Sequence, residues 1–355
     1  MKSWFVSISL FALACISLLT LSSIAPDLVI KQGSYFILAA LLFYLVIKLP
    51  FVVLQKIANV GFFILFILLL ALIIVGRQTR GITAWFTLFG GYKFQPSQFA
   101  IPTVLTTLTY YLHLNKSRTL LVFTKIVAII SLIGGLILIQ PDMGTAAIYF
   151  AVCFIFISFV GFPTKYILSL ISLMVIAIAL SWPFVIKDFQ KDRLTDYLSL
   201  LREEGTADYN SRQALIAVGS GQFVGRSLGH GVQSHLKFLP ERQTDFIFAS
   251  IAEEWGFIGS TVIIILYFGL SIFLIRSALK SQDGVNYALI VAISMMFFVQ
   301  SGINIGMNVG LLPITGITLP MISYGGSSIL AITITAAIAQ NCLNRQKKKT
   351  VLTIR

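Results

Sequence analysis

The sequence is short of charge. Of 355 residues only 11% are Asp, Glu, Lys or Arg, while 57% are hydrophobic. Soluble chains carry about 25% charged residues, so an ordinary soluble domain is excluded and an integral membrane protein is expected. Cysteine is scarce too. Cys15, Cys153 and Cys342 lie in or at the end of apolar runs without paired spacing, so neither a disulfide framework nor a metal site is signalled. Gly/Ser/Pro-rich linkers, low-complexity tracts and short-period repeats are missing, and residues 1–355 read as one membrane domain. The net charge is +13. Yet no basic stripe is interleaved with stacking aromatics, and nucleic acid is not an expected partner.

What is present is a series of apolar runs, at 4–24, 34–53, 57–76, 98–113, 119–139, 143–160, 166–186, 246–275, 285–307 and 325–342. A span needs about 20 apolar residues, with a range near 17–25, and most of the runs fit. The fourth is short and carries Thr103, Thr106, Thr107 and Thr109, which suits a position inside the bundle. Period-2 alternation is missing from these runs, so they are not barrel strands. The expected fold is an all-α polytopic membrane protein of about ten transmembrane helices. The first run exceeds the roughly 7–15-residue core of a signal peptide, and no A-x-A site follows it. It reads as a retained helix.

Lys and Arg in short loops set the orientation. With the N-terminus inside, the inner segments hold Lys2, Lys48, Lys56, Lys116, Arg118, Lys125, Lys165, Arg276, Lys280, Arg345, Lys347, Lys348, Lys349 and Arg355, against one acid, Asp283. The basic balance is therefore a topology signal and an attraction to anionic membrane lipid. Both termini are expected in the cytoplasm. One large extracytoplasmic loop, 187–245, falls between helices 7 and 8. Its Leu194, Tyr197, Leu198, Leu200 and Leu201 have near-helical spacing, which suits a helix on the membrane surface.

Three polar stretches share the outer face. The first is Leu236-Lys-Phe-Leu-Pro-Glu-Arg-Gln-Thr-Asp-Phe-Ile-Phe-Ala-Ser-Ile-Ala-Glu-Glu254, a charged loop that enters an apolar helix at Thr244-Asp245. Either side chain suits an N-cap. Asp245 reads equally as a functional acid, because Lys237, Glu241, Arg242, Glu253 and Glu254 crowd the same mouth. The second is Gln140-Pro-Asp-Met-Gly-Thr145. Asp142 there is either a cap or a functional acid at membrane depth. The third runs from Asn308 to Ser328, mixes glycines and hydroxyls with two prolines, and ends in a cluster of small residues. Irregular backbone at that depth survives only where it is buried in protein or lines a cavity. Together the three describe the walls of one outward-facing pocket. Upstream, Gly219, Gly221 and Gly225 lack dinucleotide-binding spacing. They mark either a plain turn or a turn whose amides face an anion.

These motifs resemble those of the SEDS family (RodA, FtsW, SpoVE), membrane glycosyltransferases that polymerise peptidoglycan. The residues that carry the resemblance are Phe94-Gln-Pro-Ser97, Gln140-Pro-Asp-Met-Gly-Thr145, Ile216-Ala-Val-Gly-Ser-Gly221, Leu239-Pro-Glu-Arg-Gln-Thr-Asp-Phe-Ile-Phe248, Glu253-Glu254 and the run from Asn308 to Ser328. The Leu-Pro-Glu-Arg loop and the short tails are more similar to RodA than to FtsW. The resemblance implies lipid II as substrate, with the 4-hydroxyl of one sugar attacking the anomeric carbon of another while the lipid pyrophosphate leaves. It places the general base at Asp245, since a sugar hydroxyl must lose its proton to a carboxylate within reach. It implies a substrate-binding set of Asp142, Arg212, Gln213, Arg226, Lys237, Glu241, Arg242, Thr244, Asn308, Ser323, Tyr324, Gly325, Gly326 and Ser327. Arg212, Arg226, Lys237 and Arg242 are the cations available to the pyrophosphate. The implied partner is a class B penicillin-binding protein. No motif selects a metal, although a divalent cation (Mg or Mn) sharing the pyrophosphate would suit the chemistry.

The chain departs from the family pattern at Ala84, Gln98, Ile101, Leu215 and Gln243. Gln98 and Ile101 stand where the family usually has an acid and a base, so both charges of a plausible pair are gone together. Two rivals stay open, a lipid II flippase and a non-catalytic scaffold for the transpeptidase. Against the flippase, ionisable residues are nearly absent from the middle of the apolar runs, where transporter sites lie.

Overall fold

A computed structural model describes residues 4–76, 84–87, 91–184, 188–201 and 209–353. Lys2, Arg355 and residues 202–208 of the long loop lie outside the described residues, as do the side chains of Leu194, Leu200, Leu201, Lys347, Lys348 and Lys349. The architecture is helical. In chain order the helices are α1 (Phe5–Ile24), α2 (Val29–Lys48), α3 (Phe51–Val75), α4 (Ala100–Leu114), α5 (Leu120–Ile139), α6 (Met143–Phe159), α7 (Thr164–Phe184), α8 (Asp188–Leu201), α9 (Tyr209–Ser220), α10 (Val232–His235), α11 (Ile247–Ala278), α12 (Gly284–Asn308) and α13 (Gly326–Thr353). A two-residue antiparallel hairpin, β1 (Phe86–Thr87) with β2 (Lys93–Phe94), precedes α4.

Among the described residues, seven helices are long and apolar enough to cross a membrane, and Met143–Phe159 and Thr164–Ala177 are shorter apolar helices. The protein is therefore a multi-pass membrane protein. The apolar run at 34–53 is not one helix. Pro50 forces Leu49 into extended backbone (φ −66°, ψ 141°), so α2 stops at Lys48 and α3 starts at Phe51. Caps set other starts. Thr119 accepts from the Val122 amide ahead of α5, and Asp283 from the Val285 amide ahead of α12.

Burial separates centre from rim. α13 has 83% of its span buried and α12 67%, against 11% and 17% for α2 and α3. The outer helices present Ile37, Phe63 and Ile67 to the surroundings, as lipid-facing helices must. The fully buried Ile126, Tyr149, Phe156, Tyr267 and Phe297 pack in the apolar core. α4 sits inside, with Thr106 and Thr109 buried and bonded to the carbonyls one turn back. That is the interior position its threonines suggest.

α11 is broken. Gly256 has φ 64° and ψ −160°, and the loop after α9 fills the gap. The amides of Arg226 and Ser227 donate to the carbonyls of Glu253 and Glu254, and those of Phe257 and Ile258 donate to the carbonyls of Gln222 and Phe223. This crossing explains the upstream glycines. A Cβ at Gly221 would strike the Ala252 carbonyl, and one at Gly225 the Glu254 backbone. Their backbones must touch α11, so the anion-facing turn allowed by the sequence is not what they build.

Candidate active site at the head of α11

Asp245 lies in the turn that leads into α11. The chain reverses at Glu241 (φ 49°), whose carbonyl accepts from the amides of Thr244 and Phe246 at 3.0 and 3.2 Å. The Thr244 hydroxyl donates to the Glu241 carboxylate at 3.0 Å. Neither Thr244 nor Asp245 is the N-cap residue of the helix. Phe246 occupies that position without a side-chain cap, and the Ala249 amide is taken instead by the Asn308 side-chain oxygen at 3.0 Å. The physical reason is that α12 lies against this helix start and supplies the acceptor.

The backbone around Asp245 is held from one wall. Its carbonyl accepts from the side-chain amides of both Asn304 and Asn308, each at 3.0 Å. The Thr244 carbonyl accepts from the Ser323 hydroxyl at 2.6 Å, and the Gln243 carbonyl from the Tyr324 amide at 2.8 Å. Three successive carbonyls are thus fixed by α12 and the run after it. Asn304 and Asn308 are fully buried, where an unpaired amide would be costly.

The run from Val309 to Gly325 is irregular, and buried side chains satisfy its carbonyls. Asn304 donates to Ile317, Gln300 to Thr318, Tyr267 to Pro320, Ser17 to Ile322 and Gln32 to Ser323. That is how non-helical backbone persists inside an apolar bundle. The turn at Gly316 (φ 71°) faces the acid, since a Cβ there would stand 3.7 Å from the Asp245 carboxylate. On its other side a Cβ at Gly144 would come within 2.8 Å of the Thr315 carbonyl. The segment 315–317 therefore lies between the Asp245 turn and the first turn of α6.

Asp142 heads α6, and here the cap is real. One carboxylate oxygen accepts from the Thr145 amide at 3.1 Å, the other from the Gln95 side-chain amide at 2.8 Å and the Ser97 hydroxyl at 3.5 Å. Burial raises the Asp142 carboxyl above the ordinary range, and its hydrogen bonds partly oppose the shift. The backbone amide of Gln95 donates to the Ser327 hydroxyl at 2.9 Å. Gly325 donates to Gln32, and the Tyr35 ring packs where a side chain at Gly326 would be.

The expected set therefore falls into groups. Glu241, Arg242, Thr244, Asp245, Asn308, Ser323 and Tyr324 form one knot, and Asp142 and Ser327 form a second through Gln95. Arg242 points its guanidinium at the Ile24 carbonyl, at 3.1 and 3.3 Å, where it closes the end of α1. Burial lowers its pKa, against the pull of Glu241. Arg226 is exposed and donates to the Ser220 carbonyl, Lys237 is exposed, and Arg212 and Gln213 sit on α9. Glu253 and Glu254 do not join the Asp245 knot. Glu253 accepts from Gln233 and Ser234, and Glu254 from Ser23 and Gly229, with His235 3.1 Å away. They fasten the loop to α11.

Three residues that hold the site were not singled out from the sequence: Gln32, Asn304 and the side chain of Gln95. Two amides one turn apart in α12 (Asn304 and Asn308) are a readable signal in so apolar a helix. Among the departures, Ile101 is buried and Gln98 donates to the Gln95 side chain at 3.3 Å. Leu215 packs 3.0 Å from the Cβ position of Gly310.

Known proteins are similar to this chain in sequence and fold. A family model for FtsW, RodA and SpoVE, described as "Cell cycle protein", matches residues 3–348. The peptidoglycan glycosyltransferase MrdB of Helicobacter pylori is 34% identical over 93% of this chain and 87% of its own length. MrdB of Escherichia coli is 33% identical over 76% and 73%. A chain from a structure described as "Structural coordination of polymerization and crosslinking by a peptidoglycan synthase complex" superposes with a TM-score of 0.80 at 26% identity, covering 97% of this chain and 98% of that one. The rod shape determining protein RodA of Thermus thermophilus has the same fold, with a TM-score of 0.71 over 97% of both chains. With its fold and nearly its whole length matched, this chain belongs to the FtsW/RodA/SpoVE family.

Proposed function

We propose that this chain is a peptidoglycan glycosyltransferase that polymerises lipid II on the extracytoplasmic side of a bacterial cytoplasmic membrane. The observation that carries the reading is the Asp245 turn, whose backbone is locked by Asn304, Asn308 and Ser323 while its carboxylate faces the Gly316 turn. Such a group is positioned for proton transfer. Asp245 takes the proton of the attacking 4-hydroxyl. The new glycosidic bond forms at the anomeric carbon with inversion, and the undecaprenyl pyrophosphate departs with the electrons of the broken bond. The leaving group needs cations and not an acid. Arg212, Arg226 and Lys237 are the candidates on the loop, because Arg242 is already turned towards α1. Among the described residues no group of three or more His, Cys, Asp or Glu could hold a metal ion. A divalent cation would therefore take most of its ligands from pyrophosphate and water.

The topology belongs to the same proposal. Ten helices cross the membrane (α1–α7 and α11–α13), the termini are cytoplasmic, and the segment from α8 to the Asp245 turn is the extracytoplasmic loop. A class B penicillin-binding protein is the proposed partner, supported by the likeness to a chain of a peptidoglycan synthase complex. The test is polymerisation of lipid II by the purified protein in detergent, alone and with its transpeptidase. Detergent has no second leaflet, so a flippase has nothing to do there. A glycan ladder supports the enzyme. No ladder even with the partner, together with translocation of lipid II across reconstituted vesicles, overturns it.

A further inference from the structure

Between the two acidic knots stands an aromatic wall. Tyr35 of α2 meets Tyr92 of the hairpin edge-on, with ring centroids 5.8 Å apart, and Tyr324 at 6.5 Å. Lys31, one turn before Tyr35, holds its ammonium 6.0 Å from the centre of the Tyr92 ring. Three separate elements bring these rings together. Tyr324 is tied to the catalytic turn, because its amide donates to the Gln243 carbonyl. Tyr92 is tied to the other acid, because the strand that follows it leads to Gln95, which bonds both Asp142 and Ser327. Gly326 makes room for the Tyr35 ring. Tyr92 is 38% exposed, and Tyr35 and Tyr324 are partly exposed, so the wall is open on one side.

We infer that Tyr35, Tyr92 and Tyr324, with Lys31, form a saccharide subsite that holds a sugar ring of the lipid-linked substrate between Asp142 and Asp245. Aromatic faces take the apolar C–H faces of a sugar while the tyrosine hydroxyls and neighbouring polar groups orient it, the usual division of labour in a ligand pocket. The Lys31 ammonium lies at the edge of the wall and takes an anionic group carried by that sugar. The inference rests on the glycosyltransferase reading and adds to it where the sugar lies.

Binding separates the two. Lipid II and undecaprenyl pyrophosphate, which lacks the sugars, are titrated onto Asp245→Asn protein in detergent. Tyr92→Ala in that background weakens lipid II about tenfold and leaves undecaprenyl pyrophosphate unchanged. Tyr92→Phe, which keeps the ring, restores most of the affinity. Lys31→Ala weakens lipid II and Lys31→Arg rescues it. In the active protein Tyr92→Ala raises KM and spares kcat. Equal loss for both lipids would make the cluster an interfacial aromatic belt and overturn the subsite, as would no loss for either. If the Asp245→Asn protein binds no lipid II at all, the functional reading itself fails. Should Tyr92→Ala not fold, the Tyr92→Phe and Lys31→Ala pair decides by the same comparison.

Discussion

The side-chain amide of Asn304 donates to the Asp245 carbonyl at 3.0 Å and to the Ile317 carbonyl at 2.7 Å. One fully buried residue thus ties the acid to the turn that faces it. Asn304→Ala takes the donor from the Ile317 carbonyl and leaves the Asp245 carbonyl with Asn308 alone. It should cost about 1–3 kcal/mol of stability, and polymerisation should fall further than the shift in Tm explains. Melting in detergent and glycan synthesis on the same preparation check this. Full activity would show that the turn holds its shape unaided.

The loop that fills the break in α11 gives a sharp contrast between glycines. Gly219 has open space around it, whereas Gly225 has φ 88° and lies against the Glu254 backbone. Gly219→Ala should be neutral or stabilising by up to about 1 kcal/mol. Gly225→Ala should cost at least about 2 kcal/mol through strain and displacement. Comparing the Tm of the two variants is sufficient, and equal values would mean that the loop moves freely off α11.

Much of this was readable in the sequence. The apolar runs gave the helices, and Asp142 reads as a cap because it sits one residue before an apolar run. Pro50 within the run 34–53 was a visible break. The exchange of amides between Gln222–Ser227 and the kink at Gly256 was not readable, because it joins segments about one helix apart that share no periodicity. For the same reason the backbone bonds of Asn308 were not readable. Its partners, Asp245 and Ala249, are distant in the chain, and only the packing of α12 on α11 shows that its amide is used on backbone.

Gln98 and Ile101 test compensation. Ile101 is buried, and Gln98 belongs to the Gln95–Asp142 network. Gln98→Glu alone should lower folded yield, because it adds an unpaired acid beside Asp142. Gln98→Glu with Ile101→Lys should recover part of the loss, since a paired buried charge costs less than a lone one. Equal yields from the single and double variants would contradict this.

On the other face, Asp283 bonds His113 at 2.9 Å, and this hydrogen bond is the main reason that its carboxyl lies below the ordinary value. A carboxylate whose folded pKa is depressed adds stability that is fully present above the ordinary Asp value of about 4 and is lost as pH falls through the folded value. His113→Ala should therefore lower Tm at neutral pH, and the gap to wild type should close as the pH drops below about 4. A gap independent of pH would assign His113 a packing role only.

Orientation is checked with impermeant thiol labelling in intact cells. In a cysteine-free background Lys237→Cys, on the exposed loop, should react, and Lys116→Cys, after α4, should not. The reverse pattern would put Asp245 in the cytoplasm.

The central claim is that Asp245 is the base. Asp245→Asn keeps the size of the side chain but cannot take a proton, while its backbone carbonyl can still accept from Asn304 and Asn308. The decisive measurement is the rate of lipid II polymerisation by wild type and Asp245→Asn, each purified with its transpeptidase and shown to melt at the same temperature. The expected result is a loss of about 10²–10⁴-fold with binding of lipid II and of the partner retained. Equal polymerisation by the two proteins would place the base elsewhere.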